Sequence, residues 1–70
     1  MKPTQVTNSI RTLRFTHGEM TQADLATRIG VTRQTVIAIE QGRYSPSLEM
    51  AFRIARVFDV PLDDVFQYPG

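Results

Sequence analysis

The chain of 70 residues contains no cysteine, no tryptophan and only one histidine, His17. Without cysteine, neither a disulfide nor a thiolate metal site can form, and a single imidazole cannot hold a metal ion unaided. A domain of this size buries only about 60% of its unfolded surface. Such domains usually gain stability from disulfides, a metal or a partner subunit. With the first two excluded, we expect association with a partner chain.

Long apolar stretches are also missing, because no run approaches the roughly 18 residues that a membrane span requires. The first residues, Met1–Gln5, are polar and lack the apolar segment of a signal peptide. With 41% hydrophobic residues, the composition is not that of a disordered chain. We therefore expect one soluble domain located in the cytoplasm.

Neither sign of charge is in large excess, since eight basic and seven acidic residues give a formal net charge of +1. This total conceals a division along the chain. Residues 1–43 hold six basic and three acidic side chains, giving +3, whereas residues 44–70 hold two basic and four acidic ones, giving −2. The two parts of the chain are therefore oppositely charged.

Glycine and proline divide the chain into pieces with the periodicity and capping residues of short helices. We predict helices over Asn8–His17, Thr21–Ile29, Thr32–Glu40 or Gln41, Ser47–Phe58 and Leu62–Phe66. Apolar residues at helical spacing mark the inward face of the fourth helix: Leu48, Ala51, Phe52, Ala55 and Phe58. In no piece do apolar and polar residues alternate over enough positions to indicate a strand. The predicted fold class is all-α, with a flexible arm over 1–7, a domain over 8–66 and a frayed tail over 67–70.

Only Gly30 and Val31 join the second and third predicted helices, and so short a connection sets the two helices at a steep angle. Ala26 is small where the helices cross, and Gly30 suits the positive φ expected in the turn. Apolar residues occupy the inward positions of both helices: Leu25, Ile29, Val31, Val36 and Ile39. Together these features are typical of a helix-turn-helix motif over about residues 21–40.

The surface of the third helix opposite Val36 and Ile39 carries no acidic residue. It is formed by Gln34, Ile37, Ala38 and Gln41, with Arg33 and Thr35 at its sides. Such a surface can enter the major groove of DNA, where arginine pairs with guanine, glutamine with adenine and apolar groups with the thymine methyl. Packing against a partner or against the fourth helix is the alternative for Ile37.

These segments resemble the Cro/CI-type (XRE) helix-turn-helix transcriptional regulators of prokaryotes. The resemblance covers about residues 8–66 and is carried by Ile10–Arg14, Met20–Ala26, Gly30–Val36, Ile39–Leu48 and Ala55–Phe66. It implies a five-helix, lambda-repressor-like domain that binds double-stranded DNA and is associated with the nucleoid. One departure is Glu19, an extra residue relative to the commonest members, which predicts a longer loop between the first two helices.

The outward face of the third helix and the resemblance together imply roles for individual residues. Base contacts are expected from Arg33, Gln34, Ile37 and Ala38. Contacts with the DNA backbone are expected from Gln22, Thr32, Thr35, Gln41, Arg43 and Tyr44, with loop packing as the alternative for Tyr44. Structural roles are expected for Ala26, for Gly30, and for Arg14 and Glu40 as an ion pair.

The other polar residues have ordinary interpretations. We expect His17 at the surface or as a helix C-terminal cap, Arg53 and Arg56 as surface charges, and Asp63 and Asp64 at a helix N-terminus. Arg11 and Arg28 are interpreted as solvated charges, with phosphate contact as the alternative. We do not expect an enzyme, because the sequence lacks the residues of a catalytic site: it has no cysteine, one histidine and no glycine-rich phosphate loop. No metal, cofactor or small-molecule substrate is expected.

One recognition helix reads only a few base pairs, so we expect a homodimer that binds a two-fold operator. The apolar surplus late in the chain predicts a dimer interface formed by Leu62, Val65, Phe66 and Tyr68. The alternative is an antitoxin-like protein whose first part binds DNA and whose acidic second part binds a partner protein. An adaptor that has lost DNA binding is a third hypothesis.

Overall fold

The computed structural model describes residues 5–69 and folds them into five helices and one short pair of strands. The elements follow in the order β1 (Thr7–Asn8), α1 (Ile10–Thr16), α2 (Gln22–Ile29), α3 (Arg33–Glu40), α4 (Leu48–Phe58), α5 (Leu62–Val65) and β2 (Phe66–Gln67). The five helices confirm the predicted fold class. No helix within residues 5–69 is long and apolar enough to cross a membrane.

Three helices begin at the hydroxyl residues that the sequence predicts as caps. The side chains of Thr21, Thr32 and Ser47 each accept a hydrogen bond from the backbone N–H three residues further on, at 3.0, 3.3 and 3.2 Å. Asp24 completes a capping box, because its carboxylate accepts from the Thr21 N–H at 3.3 Å. These bonds satisfy donors that a helix leaves unpaired in its first turn.

The connection between α2 and α3 is closed by Gly30, whose φ is +78°. The N–H groups of Gly30 and Val31 both donate to the carbonyl of Ala26 at 2.9 Å. Residues with a Cβ rarely adopt this left-handed conformation, whereas glycine does so without steric penalty. The turn therefore fixes where α3 starts relative to α2.

The core draws side chains from every helix. Seven large apolar residues are less than 2% exposed: Ile10, Leu25, Ile29, Val36, Ile54, Phe58 and Val65. Burying an aliphatic or aromatic side chain of this kind stabilises a fold by about 1.5–3 kcal/mol. Burial of Val36 and Ile39 orients α3, because the opposite side of the same helix must then face solvent.

The inward face of α4 differs from the predicted one. Leu48 and Phe52 were expected in the core, but they are 67% and 49% exposed. Ala51, Ala55 and Phe58 are buried as predicted, and Ile54 joins them in the core. Apolar residues cover more than half of the circumference of this helix, so periodicity alone does not select the buried stripe. The excess leaves an apolar patch at the surface.

The strands β1 and β2 were not predicted. They pair antiparallel, with Thr7 opposite Gln67 and Asn8 opposite Phe66, and the Ser9 N–H extends the pairing by donating to the Val65 carbonyl at 2.9 Å. The structure therefore includes Thr7 and Gln67 in a sheet, although the first was assigned to a flexible arm and the second to a frayed tail. Residues 1–4 of that arm lie outside the described residues, as does residue 70.

The loop between α1 and α2 contains two residues with positive φ, Gly18 at +78° and Glu19 at +56°. His17 precedes them as the C-cap of α1, with its Nδ1 2.8 Å from the Leu13 carbonyl oxygen. Its ring meets the edge of Phe58 at a centroid distance of 5.2 Å. The loop consequently presents Glu19 to solvent at the start of α2.

Substituting Gly30 with alanine tests whether the turn requires a residue that adopts positive φ without strain. A Cβ at this position would meet nothing closer than an Arg53 guanidinium nitrogen at 4.0 Å. Steric clash is therefore excluded, and we expect Gly30→Ala to lower the free energy of unfolding by about 1–2 kcal/mol through left-handed strain alone. Urea denaturation followed by circular dichroism measures this. A variant as stable as the wild type would contradict the assignment.

Candidate nucleic-acid interface

The outer surface of α3 begins with two exposed polar side chains, Arg33 and Gln34. Burial of Val36 and Ile39 turns this end of the helix outward. Ile37 and Ala38 are half-buried, and Ile37 is not one of the partly buried residues that pack on the core. The predicted base-reading residues thus share one side of α3, with the polar pair more accessible than the apolar pair.

Thr32 and Thr35, which are both predicted to contact the DNA backbone, contact each other at the N-terminal cap of α3. The hydroxyl oxygens of Thr32 and Thr35 lie 3.1 Å apart, and the Thr35 N–H donates to the Thr32 hydroxyl. Thr32 is exposed and Thr35 is half-buried. A hydroxyl that accepts from the backbone still has a proton to donate, so the cap residue can donate to an anion.

Glu40, at the end of α3, forms an ion pair with Arg14 of α1. Arg14 Nε lies 2.8 Å from Glu40 Oε2, and its Nη2 lies 3.2 Å from Oε1. Both side chains are about one-tenth exposed. Arg14 also donates from Nη1 to the Met20 carbonyl at 2.9 Å, which ties the loop before α2 to the same pair. The pairing neutralises the one carboxylate of α3.

Gln22 connects this ion pair to the start of α3. Its Nε2 donates to Glu40 Oε1 at 3.4 Å, and its Oε1 accepts from an Arg33 Nη at 3.5 Å. The amide therefore lies between the buried pair and the exposed arginine, at the first residue of α2. Helix N-termini attract anions because their first N–H groups point outward. Gln22 and Arg33 are thus placed beside a surface that suits a phosphate.

An open cleft of about 940 Å³ lies in front of these residues. Its walls come from α1, from the beginning of α2 and from α3. The charged side chains that line it are Arg11, Arg14, Glu19, Arg33 and Glu40. Because Arg14 and Glu40 neutralise each other, the remaining lining carries two positive charges and one negative charge.

The segment after α3 carries the other predicted backbone contacts. Gly42, with φ of +73°, redirects the chain, and the N–H of Arg43 donates to the Ala38 carbonyl at 3.0 Å. Gln41, Arg43 and Tyr44 are all exposed. An arginine just beyond the recognition helix is well placed for a DNA backbone that passes the end of that helix.

Asn8 is a structural residue whose role sequence reasoning missed. Its Nδ2 donates to the carbonyls of Ile39 and Glu40, at 3.0 and 3.3 Å, and its Oδ1 accepts from the Ile10 N–H at 3.2 Å. The sequence analysis placed Asn8 only at the start of the predicted first helix. Its bonds to the end of α3 span more than 30 residues, so no local pattern could reveal them.

The predicted dimer residues divide between surface and core. Tyr68 is exposed, and Leu62 and Phe66 are half-buried. Val65 is 0% exposed, so its assignment to an interface is corrected: it packs inside the monomer and has no surface to offer. Leu62 and Phe66 line an apolar groove of about 290 Å³, together with Leu48 of α4. Sequence reasoning missed Leu48 because it placed that residue in the core.

The tight turn, the outward face of α3 and the cleft at the start of α2 together define a DNA-binding domain of the helix-turn-helix class. The helix-turn-helix family model HTH_3 matches residues 10–65. The chain therefore belongs to this family of Cro/CI-type (XRE) regulators, as the sequence predicted. It is a transcriptional regulator whose domain binds DNA.

Similar proteins come from archaea and bacteria. An uncharacterized HTH-type transcriptional regulator of Methanocaldococcus jannaschii is 51% identical over 61 residues, which are 87% of this chain and 91% of that protein. The uncharacterized regulator YgzD of Bacillus subtilis is 46% identical over 59 residues, 84% of this chain and 88% of that one. A candidate DNA-binding protein from Bacteroides fragilis has the same fold, with a TM-score of 0.76 at 21% identity, over 89% of this chain and 98% of that chain.

The two ion pairs of the described residues differ in exposure, so comparing them tests how burial changes the effect of losing an ion pair on stability. Glu40→Ala leaves the nearly buried Arg14 without its counter-ion, and we expect a loss of about 3 kcal/mol or more in the free energy of unfolding. Glu49→Ala breaks the exposed Glu49–Arg53 pair and should cost less than about 0.5 kcal/mol. Parallel urea titrations compare the two. Equal losses in the free energy of unfolding would show that the Arg14–Glu40 pair stabilises the fold no more than the exposed pair does.

Proposed function

We propose that this regulator binds double-stranded DNA sequence-specifically, as a homodimer on a two-fold operator. In the proposed complex α3 lies in the major groove, with Arg33 and Gln34 as the principal base-reading residues. Ile37 and Ala38 contribute apolar contacts to thymine methyl groups. Because its ligand is chromosomal DNA, we assign the protein to the cytoplasm, at the nucleoid.

One observation carries this proposal: the first turn of α3 exposes arginine and glutamine on a helix without an unpaired carboxylate. An exposed acid on this helix would repel the phosphates that border the groove. The Glu40 carboxylate does not repel phosphates in this way, because both of its oxygens accept hydrogen bonds from Arg14. Arg33 and Gln34 have the donors and acceptors that pair bidentately with guanine and adenine.

Backbone contacts would orient α3 in the groove. Gln22 and Thr32 stand at the N-termini of α2 and α3, where N–H groups face outward, and Arg43 is exposed beyond the other end of α3. Contacts with phosphate set the register of a protein on the duplex but carry no sequence information. We assign Gln22, Thr32, Thr35, Gln41, Arg43 and Tyr44 to this positioning role.

Alanine substitutions at the two polar residues of α3 test the base contacts. An operator is first selected by the wild-type protein from random duplexes. Arg33→Ala and Gln34→Ala should each lower discrimination against a changed base pair by about 1–3 kcal/mol, because a bidentate pair is lost. Dissociation constants for the operator and for single-base-pair variants measure the effect.

Arg43→Gln is the matched control for a backbone contact. It should weaken binding to all duplexes alike and reduce the slope of log K against log salt concentration by about 0.9. If Arg33→Ala and Gln34→Ala left the base preferences unchanged, the reading surface would have to lie elsewhere.

For the dimer we propose the apolar groove as the shared surface. Leu62 and Phe66 form part of its lining, and Leu48 lies at its side with 67% of its surface exposed. Phe52, one turn further along α4, adds a second exposed apolar side chain. Apolar side chains this exposed gain free energy when a partner removes them from water. A second copy fits a groove of this kind because a two-fold interface pairs one patch with itself.

Dimerisation would supply the specificity that one short helix lacks. Two recognition helices related by a two-fold axis contact half-sites about 10–10.5 base pairs apart. The low net charge of +1 implies weak sequence-independent attraction to DNA. Pairing two reading helices therefore contributes more here than it would in a strongly basic protein.

Leu48→Asp tests the interface without disturbing the core, since this side chain is mostly exposed in the monomer. We expect the wild type to sediment as a dimer at micromolar concentration and Leu48→Asp to sediment as a monomer, because a carboxylate would be buried at the interface. Sedimentation equilibrium measures both.

Phe15→Asp is the matched control, because Phe15 is also an exposed apolar residue, at 56%, but belongs to α1. It should leave the dimer intact. A wild-type protein that is monomeric at high micromolar concentration would contradict the homodimer and favour a different protein as the occupant of the groove.

A further inference from the structure

Arg11 lies on the exposed side of α1, with its guanidinium over the ring of Phe15 one turn later. Its guanidinium carbon is 5.9 Å from the centroid of the Phe15 ring, within the range of a cation–π interaction. Phe15 is 56% exposed. Neither of the two ion pairs formed by residues 5–69 involves Arg11. Arg11 therefore has an aromatic ring beside its guanidinium and forms no ion pair with a carboxylate of residues 5–69.

This arginine faces the same cleft as the proposed phosphate contacts. Arg11 and Phe15 form the α1 side of the cleft, whereas Gln22 and Ala23 form its α2 side and Arg33 its α3 side. Glu19 is the opposing charge on the lining, since Arg14 and Glu40 neutralise each other. An anion in the cleft would therefore meet Arg11 and Arg33 from two directions and Glu19 from the loop.

We propose that Arg11 is a further contact with the DNA backbone, binding a phosphodiester beyond the bases read by α3, with Phe15 as its positioning residue. This inference depends on the proposed DNA binding. A guanidinium can bind a phosphate through two parallel hydrogen bonds. The cation–π contact with Phe15 favours one orientation of the guanidinium before binding, so less conformational entropy is lost when it binds a phosphate. The contact carries no base preference, because phosphates are the same at every position.

The salt dependence of operator binding tests this contact in the full chain. Arg11→Gln and Arg56→Gln each remove one positive charge, but Arg56 is exposed on α4 and does not line the cleft. We expect Arg11→Gln to reduce the slope of log K against log salt concentration by about 0.9. Arg56→Gln should leave the slope unchanged, and the ranking of operator variants should be the same for both. Equal slopes for Arg11→Gln and the wild type would overturn this proposal alone.

Two further variants test the placement of the phosphate and the role of Phe15. Glu19→Gln removes the opposing charge of the cleft and should strengthen binding, and an unchanged affinity would contradict a phosphate in the cleft. Phe15→Leu keeps an apolar side chain but removes the ring, and should weaken binding in the wild type and have no further effect in Arg11→Gln. Additive effects of Phe15→Leu and Arg11→Gln would overturn the role of Phe15. A wild type with no salt-dependent affinity for duplex DNA would overturn the proposed function as well.

Discussion

The ion pair between Arg14 and Glu40 is the interaction on which the arrangement of this domain depends. It joins α1 to the end of α3, and through the Met20 carbonyl it also joins the loop before α2. A nearly buried pair is tolerated only where further hydrogen bonds satisfy it, and here Gln22 supplies one of them. The pair therefore has two effects: it fixes α3 against the first helix, and it removes negative charge from the surface of α3.

Local features made much of the fold predictable. Thr21, Thr32 and Ser47 cap their helices through bonds that span three residues, so the sequence alone could place those helix starts. The pairing of β1 with β2 was not predictable in this way, because two-residue strands have no periodicity and their paired residues are separated by 58 and 60 positions. The apolar residues of α4 were ambiguous for another reason. Too many of them fit a helical stripe, and only tertiary packing decides that Leu48 faces water.

The candidate site was predictable in part. Periodicity placed Gln34 opposite Val36 and Arg33 at the side of that face, and the exposed start of α3 agrees with that placement. The partnership of Arg14 with Glu40 came from the family resemblance, since no spacing rule links residues in two different helices. Two features came from the structure alone: the bridging position of the Gln22 amide and the bonds of Asn8 to the end of α3. Both depend on how distant segments meet.

The two-stranded sheet also determines when the apolar groove can exist. Val6 and Phe66, which both line the groove, come from opposite ends of the described chain and are brought together by the pairing of β1 with β2. A nascent chain that ends before β2 lacks Phe66 and the strand pairing that holds Val6 beside it. Any partner that recognises the whole groove, a second copy included, can therefore bind only after synthesis has passed β2. The complete groove is therefore a product of tertiary folding and not of α4 alone.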